Sequence, residues 1–370
     1  MLEAVAREPH NAGWMHTLAL HCLRWGYTDL WRRYHDIALG LPHLTPFNVY
    51  LRGQAKIRAG DWSGWLDREA RLCNPGELDY QPLDVQHMRW TKAAWDGREN
   101  LTSQTLFVFA DGGLGDCLQM LRYVPLLAQD AAGVILAVRP RCVPFAQHNV
   151  GHLATIVIRD VPHACEFQRY TWLMSQPALI GHIPPFVPFS APRPNQYRAP
   201  ADSRLHVAIC WAGNTNHSGN RDDRFQSIRL ADLAPLLSRD DIRWHSVQIG
   251  PWASEANAYP SLIQPTVPLY NLAQTANVLA GMDAVLTVDT SVAHLAGSLG
   301  IPTLLILSRL AEFRWGTGDT TPWYPSMYLI RQHVPGDWSA VIHALQAQLT
   351  SRRWVDLRSS LEHVAYPSVH

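Results

Sequence analysis

Chemistry in this sequence is concentrated where short apolar runs break into small and polar residues. The run LFVF at 106–109 gives way to Asp111-Gly112-Gly113-Leu114-Gly115-Asp116, and then to a helix-period pattern through Leu118 and Leu121. A strand that turns on glycines into a helix gathers free backbone N–H groups and a positive helix end at one spot, which suits an anion or polar ligand. Asp116 stands at the start of that helix, where a carboxylate either caps the helix or faces a cleft as a binding or catalytic group. A second such place is Trp211-Ala212-Gly213-Asn214, followed by a polar run containing Arg221 and then by Arg224. The third is Asp289-Thr290-Ser291, just ahead of an apolar helical stretch. There the free N–H groups and two hydroxyls make a cradle for phosphate. Asp289 can accept a hydrogen bond from a sugar hydroxyl, or it can cap the helix. His294, one turn on, is either a packed structural histidine or a further ligand contact. Paired arginines match phosphate oxygens. Together these features suit a ligand with a diphosphate.

The elements that must position these residues alternate between strand and helix. Apolar runs at 106–109, 134–138 and Thr155–Ile158 read as strands of one unit. Runs at 206–211, 244–249, Ala284–Val288 and Thr303–Leu307 read as strands of a second. Helical patterns at 230–237, 271–281 and 291–299 fall between the latter, so a parallel sheet is expected, with ligands at the carboxyl ends of its strands. The proline-rich, aperiodic segment 184–200 reads as the connection between the units.

Residues 1–98 read as helical pairs. Leu23-Arg24-Trp25-Gly26 with Trp31 recurs as Ile57-Arg58-Ala59-Gly60 with Trp65, an offset of 34 residues, and a weaker echo ends in Ala94-Trp95-Asp96-Gly97. That period is the one of tetratricopeptide-type repeats. Two or three such units are too few to stand alone and should pack on the domain that follows. They serve either to hold a protein or peptide acceptor or as a structural cap. The expected divisions are 1–98 helical repeats, 99–200 and 201–345 as Rossmann-like domains, and 346–370 as a helical tail that follows an amphipathic helix at 338–349.

Composition narrows the function classes. With 31 basic and 31 acidic residues the formal net charge is zero, so no whole-chain field favours nucleic acid or anionic membrane. No apolar run is long enough to span a bilayer, and the polar start is unlike a signal peptide, so a cytoplasmic protein is expected. The six cysteines and 18 histidines are dispersed without metal-ligand spacing, so reduced thiols and no metal site are expected.

GLGD at 113–116 followed by CLQMLRYVPLL, WAGN at 211–214 and DTSVAHLAGSLG at 289–300 together resemble glycosyltransferase family 9. The likeness is to heptosyltransferase-like bacterial members fused to tetratricopeptide repeats, with RWGTGDTTPWYPSM at 314–327 and PGDW at 335–338 also resembling that subgroup. The resemblance implies a GT-B architecture, two Rossmann-like domains facing across a cleft, and an inverting transferase using a nucleotide diphosphate sugar without a metal or other cofactor. By residue, it implies Asp116 as general base; Asp289, Thr290 and Ser291 at the donor; Gly113, Gly115, Gly213 and Asn214 bordering the phosphates; and Arg224, helped by Arg221, as the basic complement. Gln248 falls near the expected reader of the nucleotide base. Relatives often carry D-R-x-R-S where this chain has Asp223-Arg224-Phe225-Gln226-Ser227, so Gln226 replaces a cation. The implied partners are a nucleotide-sugar donor, possessing ADP-heptose-like chemistry, and a glycan or protein acceptor.

Two other classes compete with this reading. One is a non-catalytic, repeat-bearing scaffold with a degenerate nucleotide-sugar site, which Gln226 keeps open. The other is a nicotinamide oxidoreductase. Its glycine fingerprint fails here, because Leu118 stands at the third glycine and Arg139 follows the second strand where an acidic ribose ligand belongs.

Overall fold

The computed structural model describes residues 2–25, 27–41, 45–73, 92–159, 161, 165–193, 196–197, 199–200, 202–213, 227–309 and 311–352. A helical N-terminal region precedes two five-stranded sheets. In the first, β1 (Ala93–Ala94), β2 (Thr105–Phe109), β3 (Gly133–Val138), β4 (Thr155–Ile158) and β5 (Arg169–Trp172) lie in the order β1-β5-β2-β3-β4. In the second, β6 (Leu205–Cys210), β7 (Ile242–Ser246), β8 (Ala284–Val288), β9 (Thr303–Leu307) and β10 (Met327–Arg331) lie in the order β10-β9-β8-β6-β7. Every pairing is parallel. Two such sheets fit the expected GT-B-like architecture.

The strand orders dictate where a ligand can sit. The chain builds β2, β3 and β4 to one side and then returns to lay β5 on the other side of β2. In the second sheet the same reversal falls between β6 and β8. Open parallel sheets bind ligands outside the carboxyl ends of their strands at such reversals. The first reversal carries residues 111–116; the second carries both 211–213 and 289–291.

Side-chain alternation explains how the sheets become layers. Leu106 and Val108 of β2 face one core, while Phe107 and Phe109 turn to the opposite face with Phe167, Tyr170 and Trp172. In the second sheet Ala208, Val285 and Leu305 join the same core as Leu106, whereas Val207, Leu286 and Leu304 pack on Val341, Leu345 and Leu349 of the helix Ser339–Ser351. The two units thus share a continuous apolar core. Each large side chain buried there contributes about 1.5–3 kcal/mol.

At the N-terminus the helices Ala12–Arg24 and Pro46–Arg58 open two hairpins 34 residues apart, completed by Thr28–Gly40 and by Gly64–Arg68 with the turn Glu69–Cys73. The first hairpin packs on the second, which in turn packs on both sheet units. Trp65, 1% exposed, meets the rings of Phe313 and Trp323 edge-on at 6.2 and 5.8 Å. Arg58 donates to the Ala311 carbonyl at 2.8 Å and Trp62 to that of Pro177 at 3.2 Å.

Several expectations need correction. The third repeat echo is not helical: Ala94 pairs with Tyr170 in the first sheet, because its Ala-Ala segment lies at the edge where β5 offers free backbone groups. The first sheet therefore begins before residue 99, and the helix Ser339–Ser351 crosses the expected division at 345. Strands β5 and β10 were not anticipated. β5 has only four residues and opens on an arginine, which pairs with Glu99 at 2.6 Å rather than entering an apolar run. The stretch 230–237 begins as the 3-10 turn Leu230–Leu233 and becomes helical over Ala234–Leu237. Of the expected tail, 346–370, residues 353–370 lie outside the described residues.

Candidate active site

The turn after β2 is built around Asp116. Gly112 has φ +83°, and a β-carbon on it would fall 2.5 Å from Asp116 Oδ2, so the turn accepts only glycine. The Gly113 N–H donates to Asp116 Oδ2 at 2.7 Å, closing the first turn of the helix Leu114–Met120. Arg139 and Arg159 donate to the Gly112 carbonyl at 3.0 and 3.3 Å and pin the turn from below. Asp111 bridges the strand reversal, accepting from the Met174 N–H at 2.9 Å and from Arg71 of the helical region at 3.1 Å.

Asp116 does cap its helix, as capping chemistry expects, but with one oxygen only. The other, Oδ1, is paired with Arg314, which lies beyond β9 in the second unit. Arg314 is 8% exposed. Its Nε donates to Glu312 at 3.0 Å and its Nη1 to the Gln119 side chain at 2.6 Å. Burial opposes ionisation of Asp116. The Arg314 charge and the Gly113 N–H outweigh it and hold the carboxyl down at about 2. The guanidinium is correspondingly pushed up by Glu312 and Asp116 against its own burial.

The helix Ser291–Ser298 closes the site from the other side. Thr290 is its cap, Oγ1 accepting from the Val292 N–H at 3.2 Å. His294 lies against the Asp116 turn: a β-carbon on Gly115 would stand 2.5 Å from His294 Cδ2. The same ring stacks on Trp315 at 4.9 Å and bonds the Tyr324 hydroxyl through Nδ1 at 3.0 Å. Burial, reinforced by Arg314, lowers its pKa to about 3, so it packs as a neutral ring. Gly213 borders the cap, its β-carbon position 3.9 Å from Thr290 Cγ2 and its N–H donating to Ser227 Oγ at 3.2 Å. Asp289 and Ser291 are half-buried at the same strand end.

The structure therefore brings Gly113, Gly115, Asp116, Gly213, Asp289, Thr290, Ser291 and His294 to one junction. Gln248 is not presented to a ligand there. Its side-chain oxygen accepts from the N–H groups of Trp211 and Ala212 at 3.0 and 2.9 Å, and its amide donates to the Ala212 carbonyl at 3.0 Å. It braces the β6 loop. Asn214, Arg221, Arg224 and Gln226 lie outside the described residues. Among the described residues no group of three or more His, Cys, Asp or Glu side chains could hold a metal ion, and no helix is long and apolar enough to cross a membrane.

A glycosyltransferase family 9 (heptosyltransferase) model matches residues 262–335. The matched segment carries Asp289, Thr290, Ser291, His294 and Arg314, and it supports glycosyltransferase activity. Among solved structures, Escherichia coli heptosyltransferase WaaC with ADP-2-deoxy-2-fluoro heptose is 13% identical over 67% of this chain and 99% of that one, with a TM-score of 0.45. A glycosyl transferase family 9 protein from Veillonella parvula is 9% identical over 70% and 91%, TM-score 0.45. The iron-containing dodecameric glycosyltransferase TibC from enterotoxigenic E. coli is 15% identical over 61% and 63%, TM-score 0.43. A search of curated proteins found no match.

Arg314 is the residue that sequence reasoning missed as a site group. A signal was present: Glu312 and Arg314 alternate with Ala311, Phe313 and Trp315 just after an apolar strand. Charges set in such a pattern are buried only when paired.

Proposed function

We propose that this chain is an inverting, metal-independent glycosyltransferase that moves a sugar from a nucleotide diphosphate sugar to a glycan or protein acceptor. The observation that carries the reading is the Gly115–His294 contact, which sets the Asp116 turn of one sheet against the capped helix at the strand reversal of the other. In this reading Asp116 accepts the acceptor hydroxyl's proton as that oxygen attacks the anomeric carbon in line. The Thr290 and Ser291 hydroxyls, the helix N-terminus and Arg224 stabilise the charge that builds on the departing diphosphate. A positioned base contributes about 10²–10⁴ in rate, and orientation and leaving-group electrostatics supply the rest. The matching family description, heptosyltransferase, supports a heptose as the transferred sugar, and ADP-heptose is the first donor to test. The two helical hairpins, read as tetratricopeptide-type repeats, would hold a protein or peptide acceptor.

The test is incubation with a panel of ADP-, GDP-, UDP- and CMP-linked sugars, with release of free nucleotide followed by mass spectrometry. Release in the presence of acceptor by wild type, lost in Asp116→Ala with nucleotide binding retained, is the expected result. Undiminished turnover by that variant removes Asp116 as base.

A second reading is a non-catalytic, repeat-bearing scaffold with a degenerate site. One observation favours it: both Asp116 oxygens are engaged, by Arg314 and by the Gly113 N–H. Nucleotide binding without turnover of any donor would select it.

A further inference from the structure

We propose that Arg314 is the positioning residue for Asp116, reaching across from the second sheet unit to fix the orientation of the carboxylate; the inference rests on the transferase reading above. The guanidinium is anchored in three directions. Glu312 accepts from Nε at 3.0 Å and also from the Arg314 backbone N–H at 2.8 Å, which fixes the root of the side chain. Gln119, fully buried one turn beyond Asp116 on the same helix, accepts from Nη1 at 2.6 Å. Nη2 is then aimed at Asp116 Oδ1, while the Gly113 N–H holds Oδ2. With both oxygens tethered on different sides, the carboxylate has one orientation.

The segment that carries Arg314 is itself held by the helical region. Arg58 bonds the Ala311 carbonyl at 2.8 Å, the Trp65 ring meets Phe313 edge-on, and the Arg68 guanidinium lies 5.5 Å over the Phe313 ring. The first 73 residues thus reach the candidate base in two steps, through Phe313 and then Arg314. This gives the helical hairpins a part in the chemistry that is separate from acceptor capture. An arginine held by a planar fork gives orientation that a lysine's single ammonium cannot fully reproduce.

A strut that only joins two domains would lower melting and, through the lost ion pair, raise the pKa of Asp116, yet leave kcat unchanged where the variant is folded. A positioning residue would lower kcat as well. The experiment compares wild type, Arg314→Lys, Arg314→Met and Gln119→Leu with a donor that wild type turns over, across pH. Arg314→Met should lose at least tenfold in kcat with the donor KM within threefold of wild type, and the acid limb of its pH–rate profile should move up by at least one pH unit. Arg314→Lys should recover part of kcat, and Gln119→Leu, which removes one anchor and keeps the guanidinium, should fall between. In parallel, the carboxyl carbon-13 resonance of Asp116, identified by its disappearance in Asp116→Asn, should titrate at higher pH in Arg314→Met whether or not the chain is active. Folded Arg314→Met and Gln119→Leu variants with wild-type kcat, whatever their carboxyl titration, would overturn the positioning role and leave the transferase reading intact. A wild type that turns over no donor, with bound nucleotide, overturns the transferase reading itself.

Discussion

Gly115 and His294 approach so closely that a single methyl group at residue 115 would lie 2.5 Å from the imidazole Cδ2. The two residues belong to different sheet units, and each is fixed from behind. Gly115 sits on a helix whose first turn is closed by Asp116, and His294 is clamped between Trp315 and Tyr324. Neither can yield without moving a site residue.

Gly115→Ala should therefore destabilise the protein by about 1–3 kcal/mol, the usual cost of forcing extra volume into a packed interface. It should also depress transfer more than a stability loss of that size explains. Thermal melting together with turnover at a temperature where the variant is folded checks both. A variant that melts with wild type would mean that the helices separate easily.

Acid should weaken the fold well before its carboxylates titrate. Burial, aided by nearby His35 and Arg52, lowers His16 to about 4. Burial with His206 and Arg243 lowers His245 to about 4, and His294 stands at about 3. An unfolded chain takes up these protons near pH 6.5 and the folded chain does not, so stability is full above about 6.5 and falls as pH drops toward 4. Each unit of difference is worth about 1.4 kcal/mol per group. Melting temperature measured from pH 8 to 4 should decline through this window, and His245→Asn should flatten the decline.

Thr290→Ala removes the oxygen that accepts from the Val292 N–H. Loss of a cap of this kind costs about 0.5–2 kcal/mol. In the proposed reaction it also removes a hydroxyl from the diphosphate cradle, so donor KM should rise. Isothermal titration with a nucleoside diphosphate separates the two effects, since a binding loss larger than the stability loss marks a direct contact.

Trp65→Ala empties the space between Phe313 and Trp323 and should cost about 3–5 kcal/mol. If the helical region steadies Arg314 as proposed, the fully folded variant should also show the upward-shifted acid limb of Arg314→Met. Chemical denaturation gives the first quantity and a pH–rate profile the second.

Much of the site was legible because it depends on local backbone chemistry. Glycines 112, 113 and 115 around the start of one helix, and Asp289-Thr290-Ser291 around the start of another, are patterns whose geometry is set within a few residues. The apolar strands Ala284–Val288 and Thr303–Leu307 were readable to the residue, because strands buried on both faces are continuous apolar runs. What could not be read was whatever depends on a distant partner. Arg314 looks like an ordinary charge until Asp116, 198 positions away, is beside it. Gln248 matched a site position, yet its amide is consumed by the backbone of Trp211 and Ala212. Ala94 echoed a helical repeat, and only the open edge of β5 makes it a strand.

Trp65 lies buried between side chains of the second unit, and Arg71 reaches the first through Asp111. Removing the leading hairpins would not liberate a smaller, working core. It would strip an aromatic wedge from between Phe313 and Trp323 and take Arg71 away from Asp111 and Arg58 away from Glu312. Any effort to trim this chain, or to exchange its front end for that of a cousin, has to carry residues 58 to 71 along with the machinery they wall in.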